Sequence, residues 1–406
     1  MTGQVPRVAF FPDSFHEVNG VAHTSRHFER FAREHNLPFL CVRAGTRKQA
    51  VEMRGSVWTL ELPRSAFSVP LEKDLSFDPA YLRHAPLMDE TLEKFAPDIV
   101  HITGPSDVGL MGAWLARHYD IPLAASWHTN VHEYAGRRFA HLLRVFPQMI
   151  PLGAAQAIED CAMKIAAGFY SAAGVLYAPN RQLCRQLEEA PGRRCLLMRR
   201  GVDCTLFDPA KRKRQKSEAE CVLGFVGRLS VEKNVRMLAR IQQELEKAGL
   251  TNFRFMIVGH GAEEVWLRRK LPRAEFTGVL KGEPLAAAYA DMDLFVFPSH
   301  TDTFGNVVLE ALASGVPAIV TKDGGPPSIV RDGETGRTAA DEEFAAAILE
   351  IVQDAHAHCR MRVAARSYAL TATWNSVFED VYRGYFGLSS TTSARPGFGR
   401  EMKGAN

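Results

Sequence analysis

Short apolar runs alternate along the chain with amphipathic stretches. Short runs bounded by polar or turn-forming residues are typical of buried strands, whereas apolar residues three or four positions apart predict helices. In the first half the predicted strands are 8–11, 39–42, 99–102, 122–126 and 174–178, with helical periodicity between them, as at 21–34 and 89–95. This alternation favours an α/β domain with a parallel sheet and helices on both faces.

The same alternation starts again in the second half. A polar, charged stretch at 208–220 separates the halves and has the composition of a linker. The sequence thus predicts two doubly wound domains, 1–207 and 221–370, followed by a helix at 371–387 that could cross back to the first domain and a flexible tail at 388–406. The second-half strands are 222–226, 254–258, 294–298 and 317–321, with a shorter strand at 275–278, and the helices are 235–247, 262–270, 284–289 and 306–313.

Composition narrows the function classes. The 406 residues are 46% hydrophobic and 23% charged, as in ordinary globular proteins, and exceed what one core usually organises. The net charge of +3 is too small for a dedicated nucleic-acid binder. Seven cysteines without metal-ligand spacing favour a reducing, cytoplasmic location, and no apolar run reaches the length of a transmembrane helix.

Two cations follow the strand at 222–226. Arg228 supplies a planar fork and Lys233 a point charge on one loop before a helix, a pairing suited to a diphosphate. The alternative is two solvated surface cations. The next strand ends in Val-Gly-His-Gly with Gly259, which suits close backbone approach but can also be a plain turn. Because the full GxGxxG spacing is absent, a nicotinamide cofactor is less favoured.

The segment 297–317 carries the most chemistry. A carboxylate, Asp302, follows a strand, Gly305 opens a helix, and a second carboxylate, Glu310, lies in that helix. Free amides near Asn306 and Val307 can face a phosphate, while the carboxylates can accept hydrogen bonds from sugar hydroxyls. The alternative makes Asp302 a helix cap and Glu310 a solvated residue, although a Glu within this apolar series is costly to bury unpaired.

These motifs together resemble one family. The ordered set GRLSVEKN, VGHG, FPSHTDTFGNVVLEALASGVPAIV and GGPPSIVRDGETG spans nearly all of 221–340 and is similar to the donor-binding domain of retaining glycosyltransferases of the GT-B fold, family 4, also called glycosyl transferases group 1. The resemblance implies two Rossmann-like domains facing a central cleft. The family pattern has two Glu separated by seven residues, and here the first is Asp302, one methylene shorter.

The resemblance assigns roles in donor binding. Arg228 and Lys233 would bind the diphosphate and support the leaving group, Glu310 would hold the ribose hydroxyls, and Asp302 would touch the transferred sugar. Val279 and Leu280 would flank the base. The remaining residues expected at the donor are Gly259, Phe304, Gly305, Asn306 and Val307, the last four largely through backbone amides.

The first half carries the complementary pieces. The loop after 8–11 holds Asp13, a candidate acceptor contact, and Asn19-Gly20, which resembles the family's small-residue turn near the donor phosphate although only one Gly of the usual pair is present. Asn tolerates positive φ, so this departure is mild. His128 follows 122–126 and matches the family's histidine beside the transferred sugar, and His101 with Gly104 resembles a second strand-end turn lining the acceptor cleft.

The implied reaction transfers a hexose from a UDP- or GDP-linked sugar to a hydroxyl with retained anomeric configuration, and without a metal or other cofactor. Asp291-Met292-Asp293 has the letters of a metal-binding DxD, but a helix end is the simpler account. The basic amphipathic stretch 134–150 is consistent either with contact to an anionic membrane, and hence a lipid acceptor, or with a packed soluble helix. A non-catalytic nucleotide-sugar sensor and a sugar-nucleotide epimerase remain alternatives of the same fold.

Overall fold

The computed structural model describes residues 5–17, 20–45, 48–72, 75–127, 168–189, 192–214, 220–302 and 304–392. Asn19, His128, the stretch 134–150 and the tail beyond 392 lie outside the described residues. The described chain divides into two compact units: the first contains residues up to 178, 182–198 and 378 onward, and the second contains 179–181 and 199–377.

The first unit is built on a sheet of eight strands. The elements of this unit are β1 Val8–Phe11, α1 Gly20–Glu34, β2 Phe39–Gly45, β3 Ala50–Arg54, β4 Val57–Pro63, β5 Val69–Glu72, β6 Leu75–Phe77, α2 Ala85–Phe95, β7 Ile99–Ile102, α3 Asp107–His118, β8 Leu123–Ser126, β9 Val175–Ala178, α4 Arg181–Glu189 and β10 Cys195–Leu197. The strand order in the sheet is β10-β9-β8-β7-β1-β2-β4-β3, and all neighbours are parallel except β3 and β4. The order reverses between β1 and β7, which places the loops after these strands side by side.

Burial explains which strands the apolar pattern identified. Every residue of β1, β7, β8 and β9 is buried, as expected of strands covered on both faces. By contrast, all five residues of the edge strand β3 are exposed, so no apolar run marks it. Its charged side chains are typical of an edge that must not pair with another chain.

The second unit contains a sheet of six parallel strands. The elements of this unit are β11 Cys221–Val226, α5 Met237–Lys247, β12 Phe253–Val258, α6 Glu264–Lys270, β13 Glu275–Gly278, α7 Gly282–Asp291, β14 Leu294–Phe297, α8 Asn306–Ala313, β15 Ala318–Thr321, β16 Gly336–Ala339, α9 Phe344–Gln353 and α10 Ala355–Thr371. The strand order is β13-β12-β11-β14-β15-β16. Strands β12 and β13 lie on one side of β11 and the later strands lie on the other, so the order reverses between β11 and β14.

The stretch expected to be a linker, 208–220, lies inside the second unit wherever it is described, and the division falls between Met198 and Arg199 instead. The charged side chains of this stretch form ion pairs within the second unit. Arg212 and Arg214 pair with Asp293 at 2.8 and 2.9 Å. Composition alone could not distinguish a solvated linker from a segment whose cations bind a specific carboxylate.

Those contacts also account for the Asp-Met-Asp letters. Asp291 Oδ1 accepts hydrogen bonds from the backbone amides of Lys213 and Arg214. Burial acts to raise the pKa of Asp293, but the amide of Val222 and the two guanidinium groups outweigh it and hold that pKa below its usual value. Both carboxylates therefore bind the segment that precedes β11.

The last helix, α11 Trp374–Thr392, begins in the second unit, and its residues from Phe378 onward belong to the first. The Phe378 ring stacks on Phe28 of α1 at 4.5 Å between centroids, and Tyr177 donates its hydroxyl to the Val381 carbonyl at 2.9 Å. This helix thus completes the core of the first unit. Within the described residues, the search for a helix that could span a membrane found none.

Candidate functional site

The predicted donor residues follow β11 and β14, which are neighbours where the strand order reverses. In open α/β sheets, ligands bind beyond the carboxyl ends of the strands at such a point. Arg228 and Lys233 follow β11, while Asp302 and Gly305 follow β14. The topology therefore brings together two loops that are about 70 residues apart in sequence.

An ion pair joins these loops. Lys233 Nζ lies 2.6 Å from Asp302 Oδ1, and the side chains are only 22% and 18% exposed. The second carboxylate oxygen, Oδ2, is buried and has no hydrogen-bond partner among the described residues. The Asp302 carbonyl accepts the amide of Gly325 at 2.7 Å, which ties the Asp302 loop to the Gly-Gly-Pro-Pro turn. The pair is thus held in place with an unused acceptor beside it.

Arg228 is arranged differently from Lys233. Its side chain is 69% exposed and lies 3.6 Å from Glu232 on the same short turn. An exposed pair of this kind contributes little to stability, so the guanidinium can leave it at low cost. Arg228 is therefore available to an anion.

Helix α8 presents its first turn beside Asp302. Its N-cap is Gly305 with φ +96°, a conformation that disfavours residues with a Cβ, and an added Cβ would lie 3.2 Å from Pro326 Cγ. The first amides of a helix have no partner within it, so those of Asn306 and Val307 can receive an anion. Asn306 Oδ1 is also buried without a partner in the described chain.

Glu310, in the second turn of α8, is held by a residue that sequence reasoning missed. The hydroxyl of Tyr289 on α7 donates to Glu310 Oε2 at 2.8 Å, and Tyr289 is fully buried. Burial raises the pKa of Glu310 to about 7, while the hydrogen bond from Tyr289 acts to lower it. A tyrosine in an alanine-rich helix carries no signal of this role, because the contact joins elements 21 residues apart.

The glycines after β11 and β12 let two loops pack backbone to backbone. The Gly259 backbone has φ +138°, and a Cβ there would lie 1.9 Å from the Gly227 carbonyl oxygen. A Cβ at Gly261 would lie 2.2 Å from the Leu229 carbonyl oxygen. Gly259 therefore supports the loop that carries Arg228. Beyond β13, Val279 is 65% exposed, whereas Leu280 packs against the core of the second unit.

The first unit has its own polar cluster where β1 and β7 are neighbours. The Asp13 amide donates to Thr103 Oγ1 at 2.7 Å, and Ser106 Oγ donates to Asp13 Oδ1 at 2.6 Å. Burial raises the pKa of Asp13 to about 6, although hydrogen bonds from Ser106 act to lower it. A Cβ at Gly104 would lie 2.1 Å from Asp13 Oδ2, so this glycine makes room for the carboxylate. Gly20 begins α1 with nothing within 4 Å of a Cβ placed there.

His101 does not line a cleft, contrary to the expectation from its position. It is fully buried, bonds to the hydroxyl of Tyr385 and, at 2.9 Å, to Ser126 Oγ, and stacks on Tyr177. Burial lowers its pKa to about 3, so the ring is neutral at physiological pH. The side chain points into the core because β7 is covered on both faces.

Two parallel α/β units with cations and carboxylates at the strand ends define a glycosyltransferase of the GT-B fold that uses a nucleotide sugar. The model of Glycosyl transferases group 1 matches residues 220–354, and that of Glycosyltransferase Family 4 matches 18–206. The chain belongs to this family.

Relatives and solved structures agree with the assignment. A GDP-mannose-dependent alpha-mannosyltransferase of Mycolicibacterium smegmatis is 34% identical over 76% of this chain and 79% of that protein, and one of Corynebacterium glutamicum is 29% identical over 93% and 88%. A sucrose-phosphate synthase from Thermosynechococcus elongatus has a TM-score of 0.70 at 18% identity, covering 94% of this chain and 99% of that one. This last similarity is one of fold.

Proposed function

We propose that the protein transfers mannose from GDP-mannose to a hydroxyl acceptor with retention of the anomeric configuration. The observation that carries the proposal is the Lys233–Asp302 pair, set beside the first turn of α8 where the strand order reverses. The choice of GDP-mannose over a UDP-sugar is supported by the names of relatives at 29% to 34% identity over most of the chain.

In this proposal the donor lies along the ends of β11 and β14. Lys233 and Arg228 bind the diphosphate, the amides at the start of α8 receive a phosphate oxygen, and Glu310 accepts hydrogen bonds from the ribose hydroxyls. Asp302 contacts the transferred sugar through the oxygen that has no partner among the described residues. Val279 and Leu280, at the end of β13, flank the base.

Binding of the donor changes the partners of Lys233. Lys233 is paired with Asp302, and an incoming diphosphate offers its ammonium group two further negative oxygens. As the bond between C1 of the sugar and the diphosphate breaks, charge grows on the leaving oxygen. Cations and amides held at that position stabilise the transition state more than the ground state.

The bonds formed and broken in the transfer balance without a further reactant. The acceptor oxygen forms the new bond to C1 on the face from which the diphosphate leaves, and the acceptor proton passes to a departing phosphate oxygen. His128, which lies outside the described residues, positions the sugar in this proposal. The lysine, arginine and amides supply the charge stabilisation that a metal gives to other transferases, so we expect turnover to persist in a chelator.

The acceptor contacts Asp13 and Asn19 in this proposal. Asp13 is already oriented by Thr103 and Ser106, and it retains a second carboxylate oxygen for an acceptor hydroxyl. Three predictions depend on the stretch 134–150, which lies outside the described residues. They stay predictions: contact of this stretch with an anionic membrane, a lipid acceptor, and a location on the inner face of the cytoplasmic membrane.

The test is release of GDP from GDP-mannose with candidate hydroxyl acceptors, in EDTA, with the product's anomeric configuration read by NMR. Lys233→Ala should lower kcat/KM by about a hundredfold, because a charge-assisted contact to the leaving group is lost. Lys247→Ala on the exposed end of α5 is the matched control. Tight GDP-mannose binding without turnover would indicate a sensor, and conversion of the donor without acceptor would indicate an epimerase.

A further inference from the structure

A charged cavity lies in the first unit, and its described lining includes none of the residues assigned above. It has a volume of about 440 Å³ and is bounded by α1, the strands β2 to β4 and the loop after β1. Six basic and three acidic side chains line it. The basic residues are Arg26, Arg30, Arg33, Arg43, Lys48 and Arg54, and the acidic residues are Glu29, Glu52 and Glu61.

Each carboxylate in the wall already has a cation. The buried Glu29 bonds to both Arg33 and Arg43. Glu52 pairs with Arg54 at 2.9 Å. Glu61 lies 2.6 Å from His16 Nε2 and 4.0 Å from Arg43, so the acidic groups leave an excess of positive charge.

Two of the cations are unused. Arg30 and Lys48 are exposed, and neither has an ion-pair or hydrogen-bond partner among the described residues. They come from different elements, α1 and the segment between β2 and β3, yet both line the same cavity. Cations that repel one another are placed together at a cost unless an anion lies between them.

The position of Arg43 in the cavity wall is fixed by its neighbours. Its guanidinium lies over the Phe15 ring at 3.8 Å, and its Nε is buried without a hydrogen-bond partner in the described chain. The guanidinium is thus a fixed cation in the wall of the cavity.

The charge and shape suit a phosphate group. Guanidinium forks match pairs of phosphate oxygens, and a phosphate monoester carries a charge of about −2, close to the excess of three positive charges in the wall. A single carboxylate would leave most of that excess uncompensated. The volume leaves space for a sugar ring or polyol attached to the phosphate.

The loop after β1 links the cavity to Asp13, because this loop carries both Asp13 and a residue of the cavity wall. Phe15 in its wall is two residues after Asp13, and Arg26 donates to the carbonyls of Phe15 and Glu17 at 2.5 and 3.2 Å. We propose that this cavity binds a phosphate carried by the acceptor, an inference that rests on the proposed function. The phosphate could belong to a soluble phosphorylated polyol or to a lipid headgroup.

The experiment compares the double variant Arg30→Ala/Lys48→Ala with the double variant Lys94→Ala/Arg117→Ala, whose residues are exposed on the first unit outside the cavity. The soluble arm titrates inorganic phosphate and glycerol 1-phosphate by calorimetry. The lipid arm measures sedimentation with phosphatidylcholine vesicles that contain or lack phosphatidic acid. We expect the cavity variant to lose about tenfold in affinity in the arm that represents the natural source, and the control to match the wild type.

Three outcomes would overturn the proposal: equal binding by the cavity variant and its control, no binding of wild type in either arm, or phosphate binding that Lys233→Ala abolishes and the cavity variant does not. The affinity for GDP and the acceptor-independent hydrolysis of GDP-mannose should be unchanged in the cavity variant. A different result would separate the two proposals. If the cavity variant loses phosphate binding, but neither the wild type nor any variant turns over GDP-mannose, the cavity is an anion site and the mannosyltransferase proposal is refuted instead.

Discussion

At the scale of single residues, the candidate donor site is held by pairs of side chains that neutralise or orient one another. Lys233 and Asp302 compensate each other, and Tyr289 orients Glu310. Burial removes the Glu310 carboxylate from water and raises its pKa to about 7. In the proposed function, its ionisation therefore connects stability to nucleotide binding.

The variant Glu310→Gln should alter this pH dependence. Between the ordinary pKa near 4.5 and about 7 the native protein holds a proton that the unfolded chain has lost, so Glu310 contributes stability at low pH that disappears as pH rises through 7. Glutamine does not titrate. Thermal unfolding should thus show the variant gaining about 1–3 kcal/mol relative to wild type between pH 5 and 8.

The same variant should bind GDP more weakly at pH 8, because a neutral amide accepts weaker hydrogen bonds from ribose hydroxyls than a carboxylate does. Glu246→Gln on the exposed face of α5 is the control. A Glu310→Gln variant whose stability relative to wild type is flat from pH 5 to 8 would contradict the burial of the charge.

At the scale of elements, the site depends on how closely neighbouring strand-end loops approach. The amide of Gly227 donates to Val258, and the amide of Leu229 donates to His260. These bonds join the loops after β11 and β12, and they require that no side chain stand between them. The position of Arg228 is therefore set by the backbone of the neighbouring loop.

Substituting Gly259→Ala tests this packing. The new Cβ would overlap the Gly227 carbonyl oxygen at 1.9 Å in addition to straining a positive φ, so we expect a loss of about 3 kcal/mol or more in the free energy of unfolding. The control Gly249→Ala has φ +88° and nothing within 4 Å of its Cβ, so it should cost only about 1–2 kcal/mol of strain. Equal losses in chemical denaturation would show that the close approach has no energetic importance.

At the scale of the whole molecule, the two units are not two consecutive segments of chain. The first is completed by α11, the last element of the sequence, where Phe378, Tyr382 and Tyr385 are buried against it. Tyr385 also supplies the hydroxyl that bonds the buried His101. The core of the first unit therefore includes residues that follow the second unit along the chain.

Phe378→Ala should expose this dependence. The ring is fully buried and stacks on Phe28, so its removal leaves a cavity and should cost about 3–5 kcal/mol. The neighbouring Glu379→Ala is exposed and should change stability by less than about 0.5 kcal/mol. Denaturant unfolding followed by Trp fluorescence measures both, and an unchanged midpoint for Phe378→Ala would contradict a structural role of α11 in the first unit.

Much of this architecture could be predicted because its signals are local. Buried strands such as β1, β7 and β14 are short apolar runs, and α8 begins at Asn306 and ends at Ala313 as its periodicity indicates. The strand β3 could not be found in this way, because an exposed edge strand has no apolar run. The expected linker at 208–220 was misplaced because composition does not reveal its partner Asp293.

The sequence by itself determined the α/β class and the residues that stand at the strand ends, since both follow from apolar periodicity and from motifs within a few residues of one another. Only the tertiary structure decided which of those residues meet. In the tertiary structure Lys233 pairs with Asp302, and Tyr289 donates a hydrogen bond to Glu310. The His101 side chain lies in the core, and the unpaired cations of α1 and of the segment before β3 line one cavity. These contacts join elements distant along the chain, and strand order and packing, not local pattern, set their distances.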